Sequence, residues 1–135
     1  MKLFKNKFLT INFDENLSLI DFRWNKKTED ATDSDFKNWN NNIAEQIKKH
    51  KPSFVLSDNT NYLFPIIPIL QEWSVENVFI PMTKAGVTKL AMILSPEIIA
   101  QMSLEQFSRE AKMANCDFET KYFIKEKEAR AWLFK

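Results

Sequence analysis

Asp58 is the side chain best placed to act as an acid or a base. It follows the apolar run Phe54-Val55-Leu56 and opens the polar string Asp58-Asn59-Thr60-Asn61. A general base at the end of a buried strand needs a second carboxylate, a His or a metal beside it. The neighbouring sequence supplies none of these. The preferred reading is that Asp58 and Asn59 hydrogen-bond the turning backbone, as such residues do where a strand ends. His50, the single His, lies in Lys48-Lys49-His50-Lys51. There a cationic side chain favours a helix C-terminus, and a catalytic His would lack its orienting carboxylate. Cys116, the single Cys, sits between Asn115 and Asp117, without the basic neighbours that activate a thiol. One His and one Cys are too few for the usual zinc ligand sets. The chain has one Gly, Gly86, whereas phosphate-cradling loops need several. The expectation is a protein with no catalytic residue, no metal and no cofactor.

Residues that could recognise rather than react are concentrated between Ser53 and Thr83. This stretch has no Lys or Arg, although the chain has 19 of them, and its charges are Asp58, Glu72 and Glu76. After the polar string comes an apolar mouth: Tyr62, Leu63, Phe64, Pro65, Ile66 and Ile67, then Leu70 and Trp73. Loops leaving the carboxyl end of a central strand are the usual binding edge of an open α/β sheet. Exposed apolar patches of a few hundred Å2 mark interfaces, and aromatic side chains commonly anchor them. Trp24 closes a strand and Trp73 follows the mouth, so both are expected to border a pocket or interface. Trp39 and Trp132 fall on apolar helix stripes and are expected in the core. Met82, Met92, Met102 and Met113 lie on separate elements and read as core fillers.

The elements that must position these residues follow from periodicity and breakers. Alternation in Phe8–Phe13 and again in Leu17–Trp24, with Asp14-Glu15-Asn16 between them, predicts a β-hairpin. A polar linker, Asn25–Ala31, precedes Thr32, which forms a capping box with Asp35. Phe36, Trp39, Ile43 and Ile47 then repeat at helical spacing over about 18 residues, up to Pro52. Ser53–Ser57 reads as a buried strand. Pro68 suits the first turn of a second helix, which is expected to end before Pro81. Gly86 suits a left-handed turn into a strand at Val87–Leu94. Ser95-Pro96-Glu97 starts a third helix, with a second capping box at Ser103 and Gln106. A strand at Cys116–Ile124 and a helix at Lys125–Phe134, burying Ala129, Trp132 and Leu133, complete the chain. The expected architecture is one α/β domain over residues 1–135. It has a mostly parallel five-stranded sheet, an antiparallel hairpin edge and about four helices, in the order β-β-α-β-α-β-α-β-α.

Composition bounds the partners. The chain has 135 residues, enough for one domain with its own core. Nineteen basic and 18 acidic residues leave a net charge of +1, intermixed along the chain. That gives little field to attract nucleic acid or an anionic membrane. The N-terminal Met1–Phe8 has no continuous apolar core of the signal-peptide kind, and Pro65, Pro68 and Pro81 interrupt the apolar runs. A cytoplasmic protein without an integral membrane segment is expected, and the lone Cys116 agrees with a reducing compartment.

Several strings carry a family resemblance: Thr28-Glu29-Asp30-Ala31-Thr32-Asp33, Leu56-Ser57-Asp58-Asn59-Thr60-Asn61, Leu70-Gln71-Glu72-Trp73, Ala100-Gln101-Met102-Ser103-Leu104-Glu105-Gln106 and Glu128-Ala129-Arg130-Ala131-Trp132-Leu133. With the element order, the chain resembles small STAS-type proteins, relatives of the sporulation anti-sigma-factor antagonist. The nearer likeness is to a bacterial branch grouped with STAS and CRAL-TRIO (lipid-transfer-like) domains. In phosphorylated STAS proteins a Ser or Thr begins the helix after the central strand. The resemblance implies Thr60 as the corresponding site, although the following Gly is absent and a Pro-rich stretch intervenes.

Two functions follow as expectations. One is a non-enzymatic interaction module, forming a dimer or binding another protein through residues 62–73. Its apolar anchors would be Tyr62, Phe64, Ile66, Ile67, Leu70 and Trp73, and Phe64→Asp would give a folded monomer. The other is a binder of a small hydrophobic molecule or lipid. The same segment would then close over a cavity, with Asp58, Asn61 and Tyr62 orienting a polar head.

Overall fold

The computed structural model describes residues 1–64, 67–94 and 118–135. Six strands form one sheet in sequence order: β1 (Lys2–Lys5), β2 (Leu9–Asp14), β3 (Leu19–Trp24), β4 (Phe54–Asp58), β5 (Lys89–Ile93) and β6 (Glu119–Phe123). The first three strands pair antiparallel, and β3 through β6 pair parallel. The sheet is therefore mixed and mostly parallel beyond the hairpin, with six strands rather than five. The added strand is β1. Its short apolar pair, Leu3 and Phe4, carries too little alternation to announce a strand. Lys2 and Lys5 flank that pair on an edge strand, where lysines discourage pairing with another chain.

Each segment takes its form for a local reason. Helix α1 (Asp33–His50) starts at Thr32, whose hydroxyl accepts from the Asp35 N–H while the Asp35 carboxylate accepts from the Thr32 N–H. A box of this kind is worth about 1 kcal/mol. The helix buries Phe36, Trp39, Ile43 and Ile47 along one stripe and ends with Lys51 in the left-handed conformation. The linker before it contains a 3-10 turn at Lys26–Asp30, capped by Asn25.

The second helix does not stop before Pro81. It runs as α2 (Pro68–Ser74), one π turn (Val75–Phe79) and α3 (Ile80–Ala85). In a regular helix the Pro81 ring would press on the Asn77 carbonyl and leave it without an N–H. The wider turn, in which the Ile80 N–H reaches the Val75 carbonyl, absorbs that misfit without ending the helix. Gly86 then closes it with φ +97°, and the Val87 N–H bonds back to the Met82 carbonyl.

The two sheet faces are unequal. One buries Ile11, Ile20, Phe22, Trp24, Val55 and Leu90 beneath α1 and the α2–α3 helix. The other is apolar only over β3–β6, where Leu19, Leu56, Ala91 and Ile93 lie under α4 (Glu126–Leu133). Ala129 and Leu133 of α4 are fully buried, and Trp132, expected in the core, is half-buried. The third helix, the capping box at Ser103 and Gln106, Met102, Met113 and Cys116 lie outside the described residues. The last strand begins, within them, at Glu119.

Candidate functional site

Parallel strands β3, β4 and β5 end at one edge of the sheet, at Trp24, Asp58 and Ile93, and the expected binding loop leaves that edge. Strand alternation splits its first residues between the two faces. Ser57 faces α1, where its hydroxyl receives the Trp24 Nε1–H at 3.4 Å and donates to Asn59 Oδ1 at 2.7 Å. Asn59 is itself buried, and its backbone N–H donates to the Ile93 carbonyl at 2.8 Å. The loop thus continues the β4–β5 ladder by one bond before turning at Asn59–Tyr62, where the Tyr62 N–H donates to the Asn59 carbonyl at 3.0 Å. One step further, the Leu63 N–H donates to the hydroxyl of the fully buried Thr28 at 2.9 Å. These bonds pin the loop as far as Leu63.

Asp58 faces the opposite side. Its Oδ1 accepts from the Thr60 N–H at 3.1 Å and the Thr60 hydroxyl at 2.6 Å, the backbone-turning role preferred from sequence. Its Oδ2 accepts from Arg23 at 2.8 Å. Arg23 also donates to Glu126 at 2.6 Å, and Glu126 receives Arg130 at 2.9 Å, while Arg130 reaches Asp21 at 3.4 Å. Three carboxylates and two guanidiniums therefore join β3, β4 and α4 in one chain. Burial works against the charges on Arg23 and Glu126, but the hydrogen bonds between them and the surrounding opposite charges outweigh it. The Arg23 pKa is raised, and Glu126 is held below its usual carboxylate value. Chemically the chain is a clamp: each Asp58 oxygen already has a partner, and the hydroxyl that joins it, on Thr60, is held on Asp58 Oδ1 as part of the turn. Among the described residues no group of three His, Cys, Asp or Glu could hold a metal.

The apolar mouth divides into inward and outward residues. Phe64 is 7% exposed and stacks on Phe36 at 5.4 Å between ring centres, and Leu70 is 3% exposed. Tyr62 packs edge-on against Trp24 at 5.0 Å and Trp39 at 6.1 Å. Burial drives its hydroxyl pKa well above the ordinary phenol value. Trp73 is half-buried against Phe36, with Lys37 over its ring. Trp24 is buried rather than bordering a pocket, because Trp39 and Tyr62 enclose it. The residues that face out are Leu63 at 46%, Ile67 at 48% and Ile69 at 69%, with Thr60 and Asn61 beside the turn. Ile66 lies outside the described residues. Asp58 and Tyr62 sit on opposite faces, so they do not converge on one ligand head.

His50 ends α1 as expected, its ring against Phe13 at 4.7 Å. The residues missed from sequence are Asp21, Arg23, Glu126 and Arg130. Two signals pointed to them: the polar phase of β3 (Asp21, Arg23) opposite its apolar phase (Ile20, Phe22, Trp24), and the i,i+4 spacing of Glu126 and Arg130.

Strand order also alters the expected crevice. Such crevices open where strand order reverses and neighbouring crossovers diverge to opposite faces. Here β1 to β6 follow in sequence, and α1 and α2–α3 share one face. No family model, no curated protein and no solved structure matches the chain.

Proposed function

We propose that the chain is a non-enzymatic interaction module of STAS type, working in the cytoplasm, which pairs with a second copy through the outer side of segment 62–73. The observation that carries this reading is the grouping of exposed apolar side chains. Among the described residues seven large hydrophobics are exposed, and three of them, Leu63, Ile67 and Ile69, fall within seven positions. Scattered exposed aliphatics are ordinary, whereas a grouped set flanked by the half-buried Trp73 has the make-up of an interface core. The bonds that fix the turn up to Leu63 support it at that one anchor, since a side chain fixed before binding loses less entropy on association. No helix among the described residues is long and apolar enough to cross a membrane. Sedimentation equilibrium on Ile69→Asp tests the reading: a folded monomer is expected beside a wild-type dimer, and an unchanged dimer would overturn it.

One observation favours a second reading, the binding of a small hydrophobic molecule with a polar head. Trp39 Nε1 and the Tyr62 hydroxyl are buried without a hydrogen-bond partner. A buried orphan donor costs about 1–3 kcal/mol, so such groups usually meet an acceptor from water or a ligand. Organic extraction of the purified protein tests this. Recovery of a stoichiometric apolar molecule is expected, and an empty extract would dismiss it.

A further inference from the structure

Ser53 donates its N–H to the Ser18 hydroxyl at 2.9 Å, and Thr88 donates its hydroxyl to the Ser53 carbonyl at 3.1 Å, each pair 35 positions apart. That spacing runs through the parallel half of the fold. Ile20 pairs with Val55 and Val55 with Leu90, so β3, β4 and β5 align at the same offset. Helix α1 spans Asp33–His50, and the α2–α3 helix spans the equivalent positions, from Pro68 to Ala85. Both end on a left-handed residue, Lys51 in one and Gly86 in the other. Ile43, Ala44 and Ile47 are buried, and so are their counterparts Val78, Phe79 and Met82. Asn42 and Asn77 make the same bond, from Nδ2 to the carbonyl four residues back. The chain therefore repeats one strand–helix unit.

The two units part at the helix start. In the first, Thr32, Asp33 and Ser34 are polar and exposed, and the Thr32 hydroxyl caps the helix. In the second, the same positions hold Ile67, Pro68 and Ile69, equally exposed, and no side chain caps the helix. The backbone is extended at both caps, with φ −100° and ψ 170° at Thr32 and φ −76° and ψ 160° at Ile67. A capping side chain at 67 would thus meet no conformational obstacle. Pro68 removes one unpartnered N–H by having none, but no side chain serves the others.

We infer that this uncapped aliphatic start is a contact surface which the fold does not require and which is held at a cost in stability. The inference rests on the pairing through segment 62–73 and narrows its centre to Ile67 and Ile69. The first unit is the internal control: the same helix start, on the same sheet face, forms with polar residues. Aliphatic side chains there gain from burial against a second copy, and lose a cap otherwise.

Exchanging the two starts tests it. Ile67→Thr with Ile69→Ser should raise the urea midpoint by about 0.5 M, followed by tryptophan fluorescence at concentrations where every species is monomeric. Sedimentation equilibrium at higher concentration should show the dimer lost. The reciprocal pair, Thr32→Ile with Ser34→Ile, should fold and lower the midpoint by a similar amount. An unmoved or lower midpoint for the first variant, or failure of either variant to fold, would overturn the inference while leaving the pairing intact. A raised midpoint in a chain whose wild type never dimerises would overturn the pairing, and the contact inferred here with it.

Discussion

Arg23 holds Asp58 at 2.8 Å across two parallel strands, and the same guanidinium reaches Glu126 on the C-terminal helix at 2.6 Å. The carboxylate best placed for acid–base work is thus a link between β3, β4 and α4. Both ion pairs are partly open to solvent, so each is worth about 0–1 kcal/mol. Asp58→Asn should lower stability by about 1 kcal/mol, mostly by replacing the acceptor that Arg23 meets with an N–H donor, while the remaining oxygen keeps the Thr60 turn. Urea unfolding reads this directly. A loss of several kcal/mol would mean that Asp58 is far more deeply engaged than its two partners imply.

The clamp sets a pH dependence. Glu126 has its folded pKa lowered from an ordinary 4.5. A lowered carboxylate pKa contributes stability in full above the unfolded value and loses it as pH falls through the folded one. Protection of the α4 amides against hydrogen exchange, relative to their intrinsic rates, should therefore fall below about pH 4.5 before that of the sheet does. Glu126→Gln should remove that step and lower α4 protection at neutral pH. Uniform acid loosening across all elements would contradict it.

Gly86 is strained for any other residue by its φ of +97°, yet nothing lies within 4 Å of where a Cβ would stand. The cost of Gly86→Ala is therefore conformational alone, about 1 kcal/mol. Thermal unfolding of that variant checks it, and an unchanged midpoint would show that the cap relaxes freely.

Ser57 receives Trp24 and donates to Asn59 within the core. Ser57→Ala strands two buried groups and should cost about 2 kcal/mol. Ser57→Cys, which keeps a weak donor and acceptor, should cost less. Equal losses would show that packing, not hydrogen bonding, matters there.

Legibility followed locality. Thr32 with Asp35, Gly86 and the stripe Phe36–Ile47 are short-range signals, and each landed where the spacing placed it. Pro81 misled because a proline stops a regular helix, while a π turn lets it continue, and only the packing of α2–α3 on the sheet makes that turn worthwhile. Strand β1 depends on pairing with β2, which two apolar residues cannot reveal. The apolar mouth was legible as a segment but not as an orientation. Phe64 and Leu70 turn inward and Leu63, Ile67 and Ile69 turn outward, because an irregular loop has no period from which to read its faces. Arg23 and Glu126 are 103 positions apart, so their meeting is a product of the fold.

This division changes what a substitution at the mouth reports. Phe64→Asp places a charge in the core against Phe36 and should unfold the domain, not release a monomer. Phe64→Ala should cost about 3–5 kcal/mol. Circular dichroism with urea titration distinguishes these from the surface variants, whose stability should fall by no more than about 0.5 kcal/mol.

Native mass spectrometry of the purified chain beside Ile67→Asp/Ile69→Asp, with a denaturing run of each, tests the central claim most directly. The account predicts a wild-type dimer with no added mass and a folded monomer for the double variant. A wild-type monomer carrying a small molecule that is lost on denaturation would contradict it, as would a dimer that both substitutions leave intact.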